Sequence, residues 1–450
     1  MLRAALKDLL FHRSVWIGLA VAALISAAAV SLSLYLGDSL NATPGAESLT
    51  SFVGLPLVMS MIAVALVVRS IAGLSAKALQ KNLALWRIIG LAVSPLRILL
   101  LAQIIIVTVL FAAIGSVVGV ALCPPYVRVV WLQSGASGEP VVVAQLGSAV
   151  LAVVLVTCAA IIGAASAVVR STQGSLVARL RDLDEPSPSR GTLIRWLLLG
   201  AGAIVVSLIV NGMMSVQSLS ILPILGMFVG FPLIIAFAVT ASTVFPQLIR
   251  LITAAVPIRE SAVWLLARRS AISRTTTDTS AVLSVFVAAA IVGTLFGGLL
   301  SYDAALTHAT KIESGGINNL SILSVVGPPL IVAVAGSSVA IFMSDVDRHK
   351  DVVSARLIGT SRAQLLAVSF WEALIYVVVA IGTGVTVSLI VGLATALAAQ
   401  RQGVQIPLQI GWAQLALVAG ISMVVVFAST AIPTAVSARG KSLITMNREG

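Results

Sequence analysis

Long apolar runs with almost no charged residues dominate this sequence and restrict what it can fold into. A helix needs about 20 apolar residues to cross a hydrocarbon core about 30 Å thick. Backbone N–H and C=O groups cannot face lipid unpaired, so runs of this length are expected to be helices. We therefore predict an all-α polytopic membrane protein with ten transmembrane helices. The predicted spans are 15–36, 52–74, 98–122, 141–169, 194–213, 219–245, 280–301, 319–344, 366–393 and 412–437.

The composition excludes most soluble classes of protein. Of the 450 residues, 59% are hydrophobic and only 10% are charged, whereas about 25% of the residues in a soluble domain are charged. The net charge of +12 does not indicate a nucleic-acid partner, because Lys and Arg lie in short clusters between the apolar runs, as membrane topology requires. The two cysteines, Cys123 and Cys158, support neither a disulfide framework nor a metal cluster.

The basic residues also predict the orientation of the chain. With the N-terminus in the cytoplasm, 25 of the 28 Lys and Arg residues fall on the cytoplasmic side, and the exceptions are Arg128, Lys311 and Arg401. Cytoplasmic loops of membrane proteins are enriched in these two residue types. We therefore predict a multi-pass protein with both termini in the cytoplasm. Residues 1–14 have a helical apolar stripe, which predicts a helix lying in the membrane interface.

An internal repeat divides the chain. A shift of 269 positions aligns residues 81–103 with 350–372, and each segment follows the second span of a four-span block. Six spans separate the two copies, so both face the same way, which predicts a parallel repeat. We predict a first four-helix repeat with the interfacial helix in 1–175, a linker and two connecting helices in 176–255, and a second four-helix repeat in 256–450.

Three G-x-x-x-G motifs predict close packing between helices. Glycines four residues apart lie on one face of a helix and allow the backbone of a neighbouring helix to approach closely in lipid. The motifs are Gly115/Gly119, Gly226/Gly230 and Gly293/Gly297.

Two short cytoplasmic segments, 81–93 and 350–362, form the candidate functional site. Each begins with polar residues, continues with apolar residues, and carries an arginine three residues before a glycine suited to the left-handed C-cap of a helix. An amphipathic surface helix can insert into a groove on a soluble partner, or it can simply join two spans. The candidate contact residues are Leu83, Trp86, Arg87 and Gly90 in the first segment and Asp351, Val352, Arg356 and Gly359 in the second.

The sequences Arg-Ile-Ile-Gly (87–90) and Arg-Leu-Ile-Gly (356–359), each followed by a span, resemble the FtsX-like (MacB-type) permease family of ABC transporters. In that family this segment is the coupling helix that docks on the ATPase subunit. The resemblance covers residues 52–170 and 321–439. The ten-span arrangement is similar to the bacitracin-efflux-type permeases, in which one chain supplies both halves, but this chain has no room for a large extracytoplasmic domain.

This resemblance implies a permease of the bacterial plasma membrane that binds two copies of a separate ABC ATPase. ATP and Mg²⁺ would be held by the ATPase, so no cofactor is expected in this chain. An amphiphilic substrate, such as an antimicrobial peptide or a lipid-like molecule, would be moved among the membrane lipids. Asp351 matches the acidic residue that usually begins the coupling helix of the family, whereas Asn82 does not.

The chain itself has one weak candidate for a nucleotide site. The tripeptide 440–442, Gly-Lys-Ser, mimics the end of a phosphate-binding loop. Such a loop needs a glycine five residues earlier, where this chain has Ala435 at the end of a span. We therefore expect the chain not to be an enzyme, and we expect ATPase activity only in complex with a partner subunit.

Two other functions stay open. The same ATPase-driven motion could report the presence of a drug to a sensor kinase, which would make the protein a signalling component. An ion-coupled secondary transporter would instead place ionisable residues near the middle of its spans. The spans offer Glu372, less than two turns into the ninth, and its counterpart in the repeat is the neutral Gln103.

Overall fold

A computed structural model describes most of the chain. The described residues are 13–44, 54–79, 85–88, 90, 92–133, 139–172, 190–215, 222–255, 261–273, 275–310, 319–343, 359–401 and 410–439. These ranges contain eleven helices and no strand. The helices are α1 (Arg13–Ala42), α2 (Gly54–Ala78), α3 (Val93–Gln133), α4 (Leu146–Thr172), α5 (Arg190–Ser215), α6 (Leu222–Ala255), α7 (Ala262–Ser273), α8 (Thr275–Thr310), α9 (Asn319–Met343), α10 (Arg362–Arg401) and α11 (Trp412–Arg439).

The helices have the length and composition of membrane spans. In the described part of the chain, nine helices are long and apolar enough to cross a membrane. A shorter apolar stretch, Val282–Gly298 in α8, coincides with the predicted seventh span, 280–301. The prediction of an all-α protein with many spans is therefore confirmed, whereas the count of ten stays a prediction.

The two longest helices extend well beyond their predicted spans. α3 has 41 residues and α10 has 40, so each is roughly 60 Å long, about twice the thickness of the hydrocarbon core. The predicted third span, 98–122, ended before Pro124 and Pro125, but the helix continues through both prolines. Beyond them Val127 and Trp131 pack with residues of α1. This packing offsets the loss of two backbone N–H donors.

The first four spanning helices form one bundle and the last four form another. In the first bundle, α1 packs against α2, α3 and α4, and α4 also packs against α2 and α3. In the second bundle, α8 packs against α9, α10 and α11, and α11 also packs against α9 and α10. The same five pairs of positions therefore pack in both bundles, and the most extensive contact in each is between the first and third helices.

The second helix of each bundle lies at the seam between them. α9 packs against α1 and α2, and α8 also packs against α2. At this seam a Cβ atom added to Gly336 of α9 would lie 2.6 Å from Val67 Cγ1 of α2. Gly18 of α1 faces the side chain of Met343 of α9 with similar closeness. One continuous apolar core therefore extends through both bundles.

Three helices lie outside the bundles. α6 packs against α5, α7, α8 and α10, and α7 packs mainly along α10. α5 packs against α6 and α10, and most of its described side chains are exposed, as expected for a helix that faces lipid. α7 is a short helix with Arg268 and Arg269, placed just before the second bundle. The predicted interfacial helix before the first bundle lies almost entirely outside the described residues.

The three G-x-x-x-G motifs lie at contacts between helices, as predicted. The motif in α3 faces α1, the motif in α6 faces α8 and α10, and the motif in α8 faces α10. In the last case the backbone carbonyl of Gly293 accepts a hydrogen bond of 2.9 Å from the Ser388 hydroxyl. The absence of side chains at these glycines is what allows the helices to approach so closely.

Candidate functional site

The first predicted surface segment ends as its sequence indicates. Residues 85–88 form a helical turn, and the N–H of Gly90 donates to the carbonyl of Arg87 over 3.1 Å. Gly90 has a φ angle of +99°, in the left-handed region that glycine adopts without a Cβ clash. The predicted left-handed end is therefore confirmed. Leu83 lies outside the described residues.

The side chains of this turn face in two directions. Trp86 and Arg87 are half-buried, and Trp86 packs against the main apolar core. Leu85 and Ile88 are 51% and 57% exposed. The turn is thus attached to the bundle through Trp86 and presents two aliphatic side chains outward. Contact of this segment with a partner stays a prediction.

The second predicted segment is described only at its end. Gly359 is exposed and has a φ angle of +94°, which matches the conformation of Gly90. Both glycines stand three residues before a long helix, α3 or α10. The remaining candidate residues of this segment, Asp351, Val352 and Arg356, lie outside the described residues.

A capping box fixes the start of α10 directly after Gly359. The N–H of Ser361 donates to Gln364 Oε1 over 2.8 Å, and the N–H of Gln364 donates to Ser361 Oγ over 3.3 Å. This reciprocal pair satisfies two of the N–H groups that every helix leaves free at its start. The left-handed glycine and the capping box together define a corner between the predicted surface segment and α10.

A row of aromatic side chains links α7, α10 and α11 near that corner. Trp264 of α7 is buried and contacts Trp371 of α10, with ring centroids 5.2 Å apart in an edge-to-face arrangement. Phe370 stands 6.0 Å from Trp371 and 5.8 Å from Phe427 of α11. Aromatic pairs of this geometry stabilise packing beyond the burial of their area. The first turns of α10 are therefore held from two sides.

The corresponding positions of α3 and α10 hold buried polar side chains. Gln103 is 0% exposed and Glu372 is 4% exposed. Each lies ten residues after the first residue of its helix, which is about 15 Å along the axis. Glu372 is therefore inside the bundle, whereas its depth in the membrane stays a prediction.

At the opposite end of the first bundle, hydroxyl groups of α1 bind an extended loop. The N–H of Val143 donates to Ser39 Oγ over 3.0 Å, and the N–H of Val141 donates to Thr43 Oγ1 over 3.1 Å. The Ser39 hydroxyl also donates to the carbonyl of Val143 over 3.2 Å. These bonds satisfy backbone groups of the loop that have no helix or sheet partner.

Beside this loop lies a cluster that sequence reasoning missed. A second apolar cluster between α1 and α3 contains Tyr35, Cys123 and Trp131, and Asp38 lies one turn after Tyr35 on α1. The predicted first span ended at residue 36, so Asp38 was assigned to a loop. The available signal was the i, i+3 spacing of Asp38 from Tyr35, but Gly37 and Asn41 are residue types that often end a helix.

No metal centre emerges from the described residues, and the candidate for a nucleotide site is described only at its first position. Within those ranges no group of three or more His, Cys, Asp or Glu side chains could hold a metal ion. Ala435, which occupies the position of the first glycine of a phosphate-binding loop, lies within α11. The tripeptide 440–442 lies outside the described residues.

Comparison with known proteins adds no assignment. The chain matches no protein-family model, and it matches none of the curated proteins.

Proposed function

We propose that this chain is the transmembrane permease subunit of an ABC transporter, built from ten spans as two parallel four-helix repeats and two connecting helices. The observation that carries the proposal is the pair of left-handed glycines, Gly90 and Gly359, each three residues before the third helix of a bundle. A segment that ends in a left-handed glycine at the same position of two similar bundles is suited to binding two identical partners.

The packing supports the repeat in this proposal. The same five pairs of helix positions pack in both bundles, and the two second helices meet at the seam. Gly115 of α3 and Gly384 of α10, which the shift of 269 positions aligns, both face the first helix of their own bundle. A duplicated four-helix unit would retain the same contacts between helices even where its side chains have changed.

The proposed mechanism uses 81–93 and 350–362 as coupling helices. Two partner ATPases would bind ATP and Mg²⁺, close together and push both segments. Trp86 packs against the core, so movement of the first segment would be passed directly to its bundle. The capping box and the aromatic row at the start of α10 would pass movement of the second segment to the second bundle. Coupling requires two packed states that differ by a few kcal/mol, biased by the nucleotide.

The proposal includes the place of the protein in the cell. In the bacterial plasma membrane, the basic residues would put both termini and both coupling helices in the cytoplasm, where ATP is available. The exposed apolar faces of the helices would contact lipid. The transported substrate would be an amphiphilic molecule, such as an antimicrobial peptide or a lipid-like compound. In the signalling alternative, a drug-sensing complex with a sensor kinase would use the same ATPase-driven motion.

The coupling role can be tested by reversing charge in the two segments. Arg87→Glu and Arg356→Glu, singly and together, should reduce co-purification of an ATPase subunit with the tagged chain from native membranes. They should also reduce ATP hydrolysis by the complex. Arg128→Glu is a matched control, because Arg128 is exposed at the other end of α3. Unchanged complex formation and unchanged hydrolysis in the double variant would contradict the proposal.

Burial of Glu372 favours a second candidate, an ion-coupled transporter that works alone. A carboxyl group that is 4% exposed inside a span is costly in a membrane and is typical of ion pathways. This candidate predicts transport by the purified chain in vesicles under a pH or sodium gradient, without nucleotide, and loss of transport in Glu372→Gln. Transport that requires the ATPase and ATP would exclude it.

A further inference from the structure

The short helix α7 has one face buried in the second bundle and the opposite face exposed. Trp264, Ala267 and Ala271 are buried, and their spacing places them on one side of the helix. Leu265 and Leu266, on the other side, are 41% and 47% exposed. With 12 residues, α7 is too short to cross a bilayer, so its exposed leucines do not belong to the lipid-facing surface of a span.

Two arginines accompany the exposed leucines. Arg269 is exposed and lies between Leu265 and Leu266 around the helix, and Arg268 is half-buried at the edge of the same face. Neither arginine makes a hydrogen bond or an ion pair with the described part of the chain. Aliphatic and basic side chains on one exposed face are typical of a helix that lies in a membrane interface and contacts anionic lipid.

The neighbours of α7 hold both of its ends near one level of the bundle. Trp264, in the first turn of α7, contacts Trp371 of α10. At its other end α7 is separated from α8 by residue 274 alone. Gly384 of α10 packs against Ala289 of α8, and these helices run in the same direction as the first and third of one bundle. Counting back equally along both places the start of α8 at about the level of Trp371.

This level matches the depth of an interfacial helix. The predicted ninth span begins at residue 366, so Trp371 lies about 7.5 Å inside the predicted boundary. Interfacial helices bury their apolar face about 5–10 Å into the boundary between lipid head groups and acyl chains. At that depth the exposed leucines would contact acyl chains, and the arginines could extend to the head groups.

The internal repeat gives an independent indication. A shift of 261 positions aligns Lys7 with Arg268 and Arg13 with Arg274. The predicted interfacial helix at the start of the chain, residues 1–14, therefore corresponds to α7. The structure describes the second of these two helices, and its exposed face has the amphipathic character that the sequence predicted for the first.

We propose that α7 lies in the membrane interface and binds an anionic phospholipid, with the phosphate at Arg268 and Arg269 and the acyl chains against Leu265 and Leu266. The guanidinium group presents its N–H donors in a fork that matches phosphate oxygens. A zwitterionic lipid would cover the leucines but leave the two positive charges uncompensated. The predicted orientation puts α7 at the cytoplasmic leaflet, whose surface is negatively charged. The proposal does not rest on transport, so it is tested without an ATPase.

The experiment measures thermal unfolding of the purified full chain in a neutral maltoside detergent, followed by tryptophan fluorescence. Dioctanoyl-phosphatidylglycerol is the probe, dioctanoyl-phosphatidylcholine is the control for the tails, and glycerol phosphate is the control for a free phosphate. A ligand that binds only the folded state raises the unfolding midpoint in a saturable way. Phosphatidylglycerol should bind about 30-fold more tightly than phosphatidylcholine, and glycerol phosphate should leave the midpoint unchanged.

Variants of the arginines locate the binding surface. Arg268→Gln/Arg269→Gln should weaken the apparent Kd for phosphatidylglycerol by about 30-fold, to that for phosphatidylcholine. Arg269→Gln alone changes only an exposed side chain, so it should fold as the natural chain does and weaken binding by about fivefold. The matched control is Arg128→Gln/Arg401→Gln, which removes the same charge from exposed residues at the far ends of α3 and α10. It should bind as the natural chain does.

A variant of the leucines separates the tails from the head group. Leu265→Ala/Leu266→Ala should weaken binding of phosphatidylglycerol by about 10-fold, because less aliphatic surface is covered by the acyl chains. Both arginines remain in this variant, so its preference for phosphatidylglycerol over phosphatidylcholine should persist.

Four outcomes would overturn the proposal. The first is equally tight binding of phosphatidylglycerol by the two double-arginine variants. Equal affinity of the natural chain for the two lipids would remove the role of charge. Equal stabilisation by glycerol phosphate would favour a site for a soluble anion. Unchanged lipid binding by the leucine variant, together with loss of a soluble protein that co-purifies with the natural chain, would assign this face of α7 to a protein contact.

Discussion

A close approach of two helices in the second bundle offers a stability test with an internal control. A methyl group at position 384 of α10 would lie 2.6 Å from Ala289 Cβ and 3.1 Å from the Ala289 carbonyl carbon of α8. Ordinary contact begins near 3.4 Å, so α8 and α10 would have to separate locally by roughly 0.8 Å. Overpacking of this kind costs about 1–3 kcal/mol. Gly384→Ala is therefore expected to carry this packing cost.

The control stands two residues away on the same helix. A Cβ atom at Gly382 meets nothing within 4 Å, so Gly382→Ala changes only the intrinsic helix propensity. Alanine is favoured over glycine in a helix by about 1 kcal/mol, and this gain applies to both variants. The difference between them therefore isolates the packing cost, and Gly384→Ala should be less stable than Gly382→Ala by about 1–3 kcal/mol.

The measurement is reversible unfolding in mixed micelles of a neutral detergent and dodecyl sulfate, followed by tryptophan fluorescence. A double-mutant cycle with Ala289→Gly should show a favourable coupling energy, because the double variant removes the Cβ atom that the new methyl group meets. Equal free energies of unfolding for the variants at 382 and 384 would refute the close approach of α8 and α10. Strict additivity of the two substitutions would place the cost elsewhere than at the Cβ atom of Ala289.

Three further predictions concern the ends of the bundles. Gly90→Ala should destabilise the turn by about 1–2 kcal/mol, because a residue with a Cβ atom is strained in the left-handed region, and faster proteolysis near residue 90 would report it. Ser39→Ala should raise amide hydrogen exchange at Val143 by about fivefold, equivalent to about 1 kcal/mol for one lost hydrogen bond; unchanged exchange would contradict the bond. A double-mutant cycle between Trp264 and Trp371, with alanine at each, should give a coupling energy of about 0.5–1.5 kcal/mol, and strict additivity would refute the contact.

Features that depend on local chemistry could be predicted from the sequence. Gly90 and Gly359 were expected to take left-handed conformations, and both do. The G-x-x-x-G motifs were expected at helix contacts, and the glycines at 115, 230 and 293 all lie there. In each case the reason is that glycine lacks a Cβ atom. This property belongs to the residue itself, so its effect can be predicted from the sequence before the fold is known.

Features that depend on a neighbouring helix were predicted less well. The predicted third span, 98–122, stops short of Pro124 and Pro125, and prolines normally interrupt a helix. The helix continues because Val127 and Trp131 pack with α1. Asp38 lies beyond the predicted end of the first span at residue 36, whereas α1 continues to Ala42.

The sequence by itself determined that this protein is helical and lies in a membrane, because apolar runs of this length have no other way to satisfy their backbone groups in lipid. It also determined which glycines turn the chain and which let helices meet. Only the tertiary structure decided that α3 and α10 extend to about 60 Å, that the second helices form the seam, and that Asp38 lies beside Tyr35 and Cys123. These depend on contacts between residues far apart in the chain, and pairing energies of that kind are not encoded in any single segment.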